Sequence, residues 1–312
     1  MRTDRLWNKS VLLVALLTAA LMLGLTPVKA RAQIDELVIG VGVDADTLNP
    51  QEQTTTLFQN WCDLIFGNFF FQDPEGKLHP RLATSLDVSE DGLTWTIHLR
   101  QGVKFSDGTD FNADAVKLTW DRILDPKLRV PLRFSVAMVN ECVKIDDYTV
   151  ALKLKYPFAP LGPTLSESLV SPISPAALAK YGEDVRQHPV GAGPYILKEW
   201  VKGDHVTMVR NENYWGEKPT VAKITWKIVP EAATREAMLR SGQIQICYKP
   251  LPSNVASLQA DPNITVEMPL DTRTIFMGLN CQKYVTTCRR CYSATSKWSI
   301  SMTTTPKKPS SC

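Results

Sequence analysis

Four histidines and seven cysteines are the side chains in this chain that could ligate a metal or take part in bond-making chemistry. His79, His98, His188 and His205 stand singly along the sequence, which suits surface or hydrogen-bonded structural roles better than a metal cluster. Cys288-Arg289-Arg290-Cys291 has CxxC spacing, but it has no second ligand pair and no histidine nearby, so neither a zinc nor a redox site is expected. Cys62, Cys142 and Cys247 are far apart, while Cys281, Cys288, Cys291 and Cys312 crowd the end, so no disulfide framework is expected. No G-x-S-x-G, H-E-x-x-H or G-x-x-x-x-G-K-[ST] occurs, and Gly191-Ala192-Gly193-Pro194 lacks the third glycine of a dinucleotide loop. Neither catalysis nor a cofactor site is therefore expected.

Binding chemistry has better candidates. Thr47-Leu48-Asn49 supplies a hydroxyl and an amide just after a strand, and Phe105-Ser106-Asp107-Gly108 supplies a hydroxyl and a carboxylate in a loop. For Asn49 before Pro50, and for Ser106 and Asp107, turn stabilisation is the competing reading. Arg129 or Arg133 could hold a carboxylate in a bidentate fork, although an Arg beside Pro131 also suits plain solvation.

The elements that must position these residues alternate between strand and helix. Leu37 to Val43 alternates as a strand, and Gln53 to Phe66 reads as a helix. Leu86 to Val88 and Leu93 to Leu99 form a hairpin around Ser89-Glu90-Asp91-Gly92, with Trp95, Ile97 and Leu99 on one face. Asn112 caps a helix from Ala113 to Leu124 whose Val116, Trp120 and Ile123 are spaced for burial. Cys142 to Ile145 pairs with Thr149 to Leu154, and Ser174-Pro175 starts a helix running to about Tyr181. Lys223 to Val229 is a strand and Glu231 to Arg240 a helix. Ile244 to Cys247, Ile264 to Met268 and Thr274 to Asn280 are short strands. The pattern is α/β with mixed sheets.

One stretch is more specific than the rest. GAGPYILKEWVKGDHVTMVRNENYWG, Gly191 to Gly216, holds two alternating runs around Lys202-Gly203-Asp204, with Gly191 and Gly193 read as giving backbone freedom before Pro194. Its order closely resembles the signature region of the family 5 extracellular solute-binding proteins, the peptide- and nickel-binding receptors of bacterial ABC importers. Arg81 to Asp121 resembles that family's other long signature, and Thr47-Leu48-Asn49-Pro50 resembles its TLNP element, so the resemblance spans Ile34 to Asn280. It implies the first lobe of a bilobed flytrap, with 33–78 and 189–280 as the main subdomain and 79–188 inserted. It also implies a peptide or similar small solute as ligand, and an inner-membrane permease with a separate ATPase as partner. Val209 to Pro219 looks like nickel-receptor members too, so nickel-chelate binding is the alternative, and a fragment without binding activity is a third reading. The family's residues for peptide termini lie in the second lobe, and no position here matches them.

The ends and the charge complete the picture. Arg2, Arg5 and Lys9 precede a 15-residue apolar run, Val11 to Leu25, and then Ala30-Arg31-Ala32, so residues 1–32 read as a cleavable signal peptide. No cysteine lies at that junction, so a periplasmic protein without a lipid anchor is expected. The net charge is +3, but the signal holds five basic residues and one acidic one, and six more basic residues follow from Lys283 onward, leaving −7 for residues 33–282. An acidic body argues against nucleic acid as a partner. Residues 281–312 are expected to be an aberrant tail, frameshifted or disordered, because 284–312 hold twelve Ser or Thr, no acid and no periodicity. A single lobe is expected to bind no ligand tightly and to be poorly soluble.

Overall fold

The computed structural model describes residues 34–268. The segments expected as signal peptide (1–32), final strand (274–280) and tail (281–312, with four cysteines) lie outside the described residues.

The described chain folds around two larger sheets and one two-stranded sheet. Strands β1 (Ile34–Val41), β2 (Phe70–Gln72), β3 (Leu78–Pro80), β4 (Ala83–Val88), β5 (Thr94–Leu99), β6 (Val139–Asp146) and β7 (Thr149–Leu154) come first. They are followed by β8 (Tyr195–Val201), β9 (His205–Arg210), β10 (Val221–Ile228) and β11 (Ile246–Cys247). Helices are α1 (Thr56–Phe66), α2 (Ala113–Leu124), α3 (Leu161–Thr164), α4 (Pro175–Tyr181), α5 (Ala232–Arg240) and α6 (Val255–Gln259). The five-stranded sheet has the order β11-β1-β10-β9-β8, and the four-stranded sheet β4-β5-β7-β6. β1 runs parallel to both β10 and β11, while β10, β9 and β8 alternate in direction, so this sheet is mixed. The four-stranded sheet is antiparallel throughout.

Local chemistry explains most of these elements. In the β4–β5 turn Gly92 takes a positive φ of 69°, while Asp91 Oδ1 accepts from Leu93 N and from Ser89 Oγ. Asn112 Oδ1 accepts from the backbone of Asp114 and Ala115, each at 3.1 Å, satisfying two free donors at the start of α2. Val116, Trp120 and Ile123 of α2 are fully buried and pack with Trp95, Ile97 and Leu99 of β5 in one core. A second core lies under the five-stranded sheet, where Val41, Val206, Met208 and Trp226 meet Phe58, Trp61 and Phe66 of α1; Ile173, Leu178 and Val185 also belong to it.

Three expectations change. Helix α1 starts at Thr56 rather than Gln53, because Asn49 to Gln53 is held as a turn, with Gln51 Nε2 donating to Thr119 O of α2 at 3.1 Å. Residues 264–268 form no strand, since an extended segment becomes one only beside a partner's backbone groups, and none of the described strands pairs with it. Gly191 and Gly193 do not adopt positive φ. Their small size matters instead: a Cβ at Gly191 would lie 2.3 Å from Phe66 Cα, and one at Gly193 2.4 Å from Leu64 O. That close approach lets Ala192 N and Gly193 N cap the free carbonyls of Phe66 and Ile65 at the end of α1, at 3.1 and 2.9 Å.

Candidate functional site

Ligands of open α/β sheets gather where parallel strands end. Here that edge is formed by the loops after β1, β10 and β11, and α5 organises it. Arg235 is buried, and its Nη1 donates to Val229 O and Pro230 O at 2.6 and 2.9 Å, while Nη2 donates to Lys249 O at 3.1 Å. A Cβ at Gly42 would lie 3.0 Å from the same Nη1, so the guanidinium fills the space beside the β1 loop. Glu236 accepts from Leu251 N and Asn254 Nδ2 at 2.7 and 2.6 Å. Asp44 ties the β1 loop to the β8–β9 turn through Trp200 Nε1 and Gly203 N. Sequence reasoning missed Arg235 and Glu236, because a charged pair in a short helix reads as a solvated face.

The residues singled out from sequence are largely occupied within the fold. Thr47 Oγ1 accepts from Asn49 N, Asn49 Oδ1 accepts from Gln51 N, and Asn49 Nδ2 donates to Glu52. Leu48 is fully buried in the core beneath the five-stranded sheet. Asp107 accepts from Thr109 and, at 2.5 Å, from Ser174 Oγ. Burial pushes the Asp107 carboxyl upward, but the bonds from Ser174 and Thr109 outweigh it and hold the group below its ordinary value. Ser106 N donates to Gly191 O. Arg133 donates to the carbonyls of Ile123, Asp125 and Leu128, closing the end of α2, while Arg129 is exposed. Among the described residues no hydrogen bond joins the 47–49 loop to the 105–108 loop or to Arg133, so the structure does not gather them into one constellation.

The signature loop 211–216 also works within the fold. Buried Asn211 donates from Nδ2 to Gly193 O and accepts from Asn213 N; Trp215 Nε1 donates to Ala192 O, and Arg100 stacks 4.7 Å from the Trp215 ring. The loop thus clamps the segment that caps α1.

At the opposite edge of the five-stranded sheet, where β1, β8 and β10 begin, lies a hollow of about 660 Å3 whose lining includes Asn60, Asp63 and Leu64 of α1, Phe71 and Tyr214. Burial pushes the Asp63 carboxyl up to about 6, against hydrogen bonding from Asn68 and the pull of Arg81. Burial likewise raises the Tyr214 phenol.

The remaining candidates for chemistry are engaged or shielded. His79, His98 and His205 pair with Asp73, Asp87 and Asp204, and His188 stacks on Tyr181 at 4.4 Å. Among the described residues no group of three or more His, Cys, Asp or Glu side chains is placed to hold a metal ion. Burial pushes the Cys62 thiol far up and Cys142 up to about 12, so both stay protonated. No described helix is long and apolar enough to cross a membrane.

Comparison with known proteins agrees with this architecture. The family model described as bacterial extracellular solute-binding proteins, family 5 Middle, matches residues 77–291, running past Asn280 where the resemblance read from motifs stops. The glutathione-binding protein GsiB of Escherichia coli O1:K1 / APEC is 40% identical over 234 residues, covering 75% of this chain and 45% of that protein. The periplasmic binding protein DppA from Helicobacter pylori, solved with the peptide STSA, superposes with a TM-score of 0.68 at 26% identity, over 73% of this chain and 49% of that one. NikA from Brucella suis, solved with Fe(III)-EDTA, gives a TM-score of 0.61 at 30% identity, over 67% and 42%. The chain spans about half the length of the relatives it matches. With the family model covering more than half of its residues, the chain belongs to the bacterial extracellular solute-binding proteins of family 5.

Proposed function

We propose that this chain forms the first lobe of an exported receptor that captures a short peptide or peptide-like solute and presents it to an ABC permease driven by a separate ATPase. The observation that carries this reading is the 40% identity to a glutathione-binding protein. A nickel-chelate receptor is the second reading, favoured by the 30% identity to NikA, which was solved with the metal chelate Fe(III)-EDTA, and it ranks second to the 40% identity to GsiB. We place the solute at the edge where β1, β10 and β11 end, with the inserted subdomain at 79–188 and export to the periplasm by residues 1–32. Solute contact by Thr47, Leu48, Asn49, Ser106, Asp107 or Arg133 belongs to this proposal and requires their internal bonds to open.

A receptor of this kind closes two lobes on its ligand and selects the closed state by contacts made only there. One lobe supplies one side of such a pocket, so binding by this chain is weak, with a Kd of about 1 mM, equivalent to about 4 kcal/mol. Isothermal titration with glutathione, a dipeptide and nickel–histidine tests the reading. Glutathione or the dipeptide should bind more tightly than nickel–histidine. Tighter binding of nickel–histidine would replace the first reading by the second, and no heat from any of the three would overturn both.

A further inference from the structure

The hollow at the start of β1, β8 and β10 is lined by three charged side chains, Asp63, Arg81 and Glu217, of which Asp63 and Arg81 form no ion pair with each other. The Asp63 carboxylate lines it from α1, and its Oδ1 is buried without a hydrogen-bond partner. The Arg81 guanidinium lines it from the segment after β3 and stacks 4.9 Å from the Phe71 ring centroid. Among the described residues no carboxylate forms an ion pair with Arg81, although its charge is felt by both Asp63 and Tyr214. A buried acceptor left without a donor is costly, and charges of opposite sign facing one hollow normally close on each other or on something between them. The hollow, about 660 Å3, falls within the roughly 300–1,000 Å3 typical of small-molecule sites.

Its walls are built rather than incidental. Tyr214 is fixed over it by Gly216, where a Cβ would lie 2.8 Å from the tyrosine ring. Asn68 on the rim donates from Nδ2 to Ser166 O, accepts at Oδ1 from Ser171 Oγ, and also lies close enough to favour the Asp63 carboxylate by hydrogen bonding. Glu217, also on the lining, is engaged by a contact of its own, which leaves the unpartnered Asp63 Oδ1 and the Arg81 guanidinium to face the hollow.

We propose that this hollow is a second binding site, taking a small zwitterion whose ammonium bonds the Asp63 carboxylate and whose carboxylate takes the fork of Arg81. It lies at the other edge of the sheet from the proposed solute site, so the two can be tested separately. The groups acting on Asp63 are Asn68, Arg81 and Glu167; Glu167 opposes its ionisation and the other two favour it. A bound ammonium joins the favouring side, so affinity should rise as pH increases through about 6, where Asp63 ionises.

The test is calorimetric titration of the full chain with glycine, ethylamine and acetate, which carry both charges or one of them. Glycine should bind at least about tenfold more tightly than either half, and Asp63→Asn and Arg81→Met should each cost about tenfold, or about 1.4 kcal/mol. Gly216→Ala should also weaken glycine by displacing Tyr214. A melting curve for each variant separates loss of the site from loss of the fold. Ethylamine binding as well as glycine would reduce the site to a cation site and overturn the zwitterion assignment. Undiminished glycine binding by Asp63→Asn, or none by the folded wild-type chain, would overturn the proposal. Because peptides carry the same two termini, glutathione is titrated against Asp63→Asn as well: loss there would move the solute itself to this hollow and so overturn its being a second site.

Discussion

The two edges of the five-stranded sheet handle charge in opposite ways. Where β1, β10 and β11 end, Arg235 donates from Nη1 and Nη2 to three backbone carbonyls, with its Nε left without a partner, and Glu236 accepts from Leu251 and Asn254. Where β1, β8 and β10 begin, Asp63 keeps a buried oxygen without a partner and Arg81 rests on an aromatic face. A charge that holds loops together contributes to stability, whereas one left unsatisfied in a hollow costs stability and can be recovered only by a ligand. The first edge, where the solute is proposed to bind, is held together by its charges, and the second keeps a buried carboxylate oxygen without a partner.

The largest expected effect tests whether the second edge depends on close backbone packing. Gly193→Ala puts a methyl group 2.4 Å from Leu64 O, so it should cost at least about 3 kcal/mol in urea unfolding, the upper end of overpacking penalties. A cost below about 1 kcal/mol would mean that the cap on α1 can shift freely. Arg235→Met, which leaves the carbonyls of Val229, Pro230 and Lys249 without their donor, should lose about 3 kcal/mol. If it proves neutral, the first edge is not held by charge and the contrast fails.

Asp63→Asn should change stability in the other direction. A carboxyl raised to about 6 in the fold contributes stability that is present below its ordinary value near 4 and lost as pH rises through 6. The variant should therefore unfold like wild type near pH 4 and be about 3 kcal/mol more stable at pH 8. Melting curves at both pH values check this, and greater stability of the wild type at pH 8 would show that Asp63 has a partner after all. The smallest effect is that of Asn49→Ala, which removes the side-chain bonds to Gln51 and Glu52 and should cost about 1 kcal/mol.

Much of the fold was legible because its causes are local. The hairpin at Gly92, the cap at Asn112 and the proline start of α4 each depend on residues within three or four positions, and all stand where the sequence puts them. The helix over 53–66 was legible in type but not at its start, since Gln51 is pinned by Thr119, 68 residues away. The glycines of the signature were correctly marked as special for a reason the structure changes: Gly191 and Gly193 make room for the end of α1 rather than for an unusual φ. Thr47, Asn49, Ser106 and Asp107 have the residue types of a binding loop, yet a hydroxyl or amide serves a turn equally well, and only the partners decide between the two.

The sequence by itself determined the mixed α/β pattern, the positions of most turns and caps, and the family, because periodicity, capping and motif order are written along the chain. Only the tertiary structure decided how the charged residues are used. Arg235 reads as an ordinary helix residue until three loops converge on it, and Asp63 and Arg81 are 18 positions apart until the fold turns both toward one hollow. Electrostatic roles depend on distance and burial in space, and neither is encoded in the residue types or in their separation along the chain.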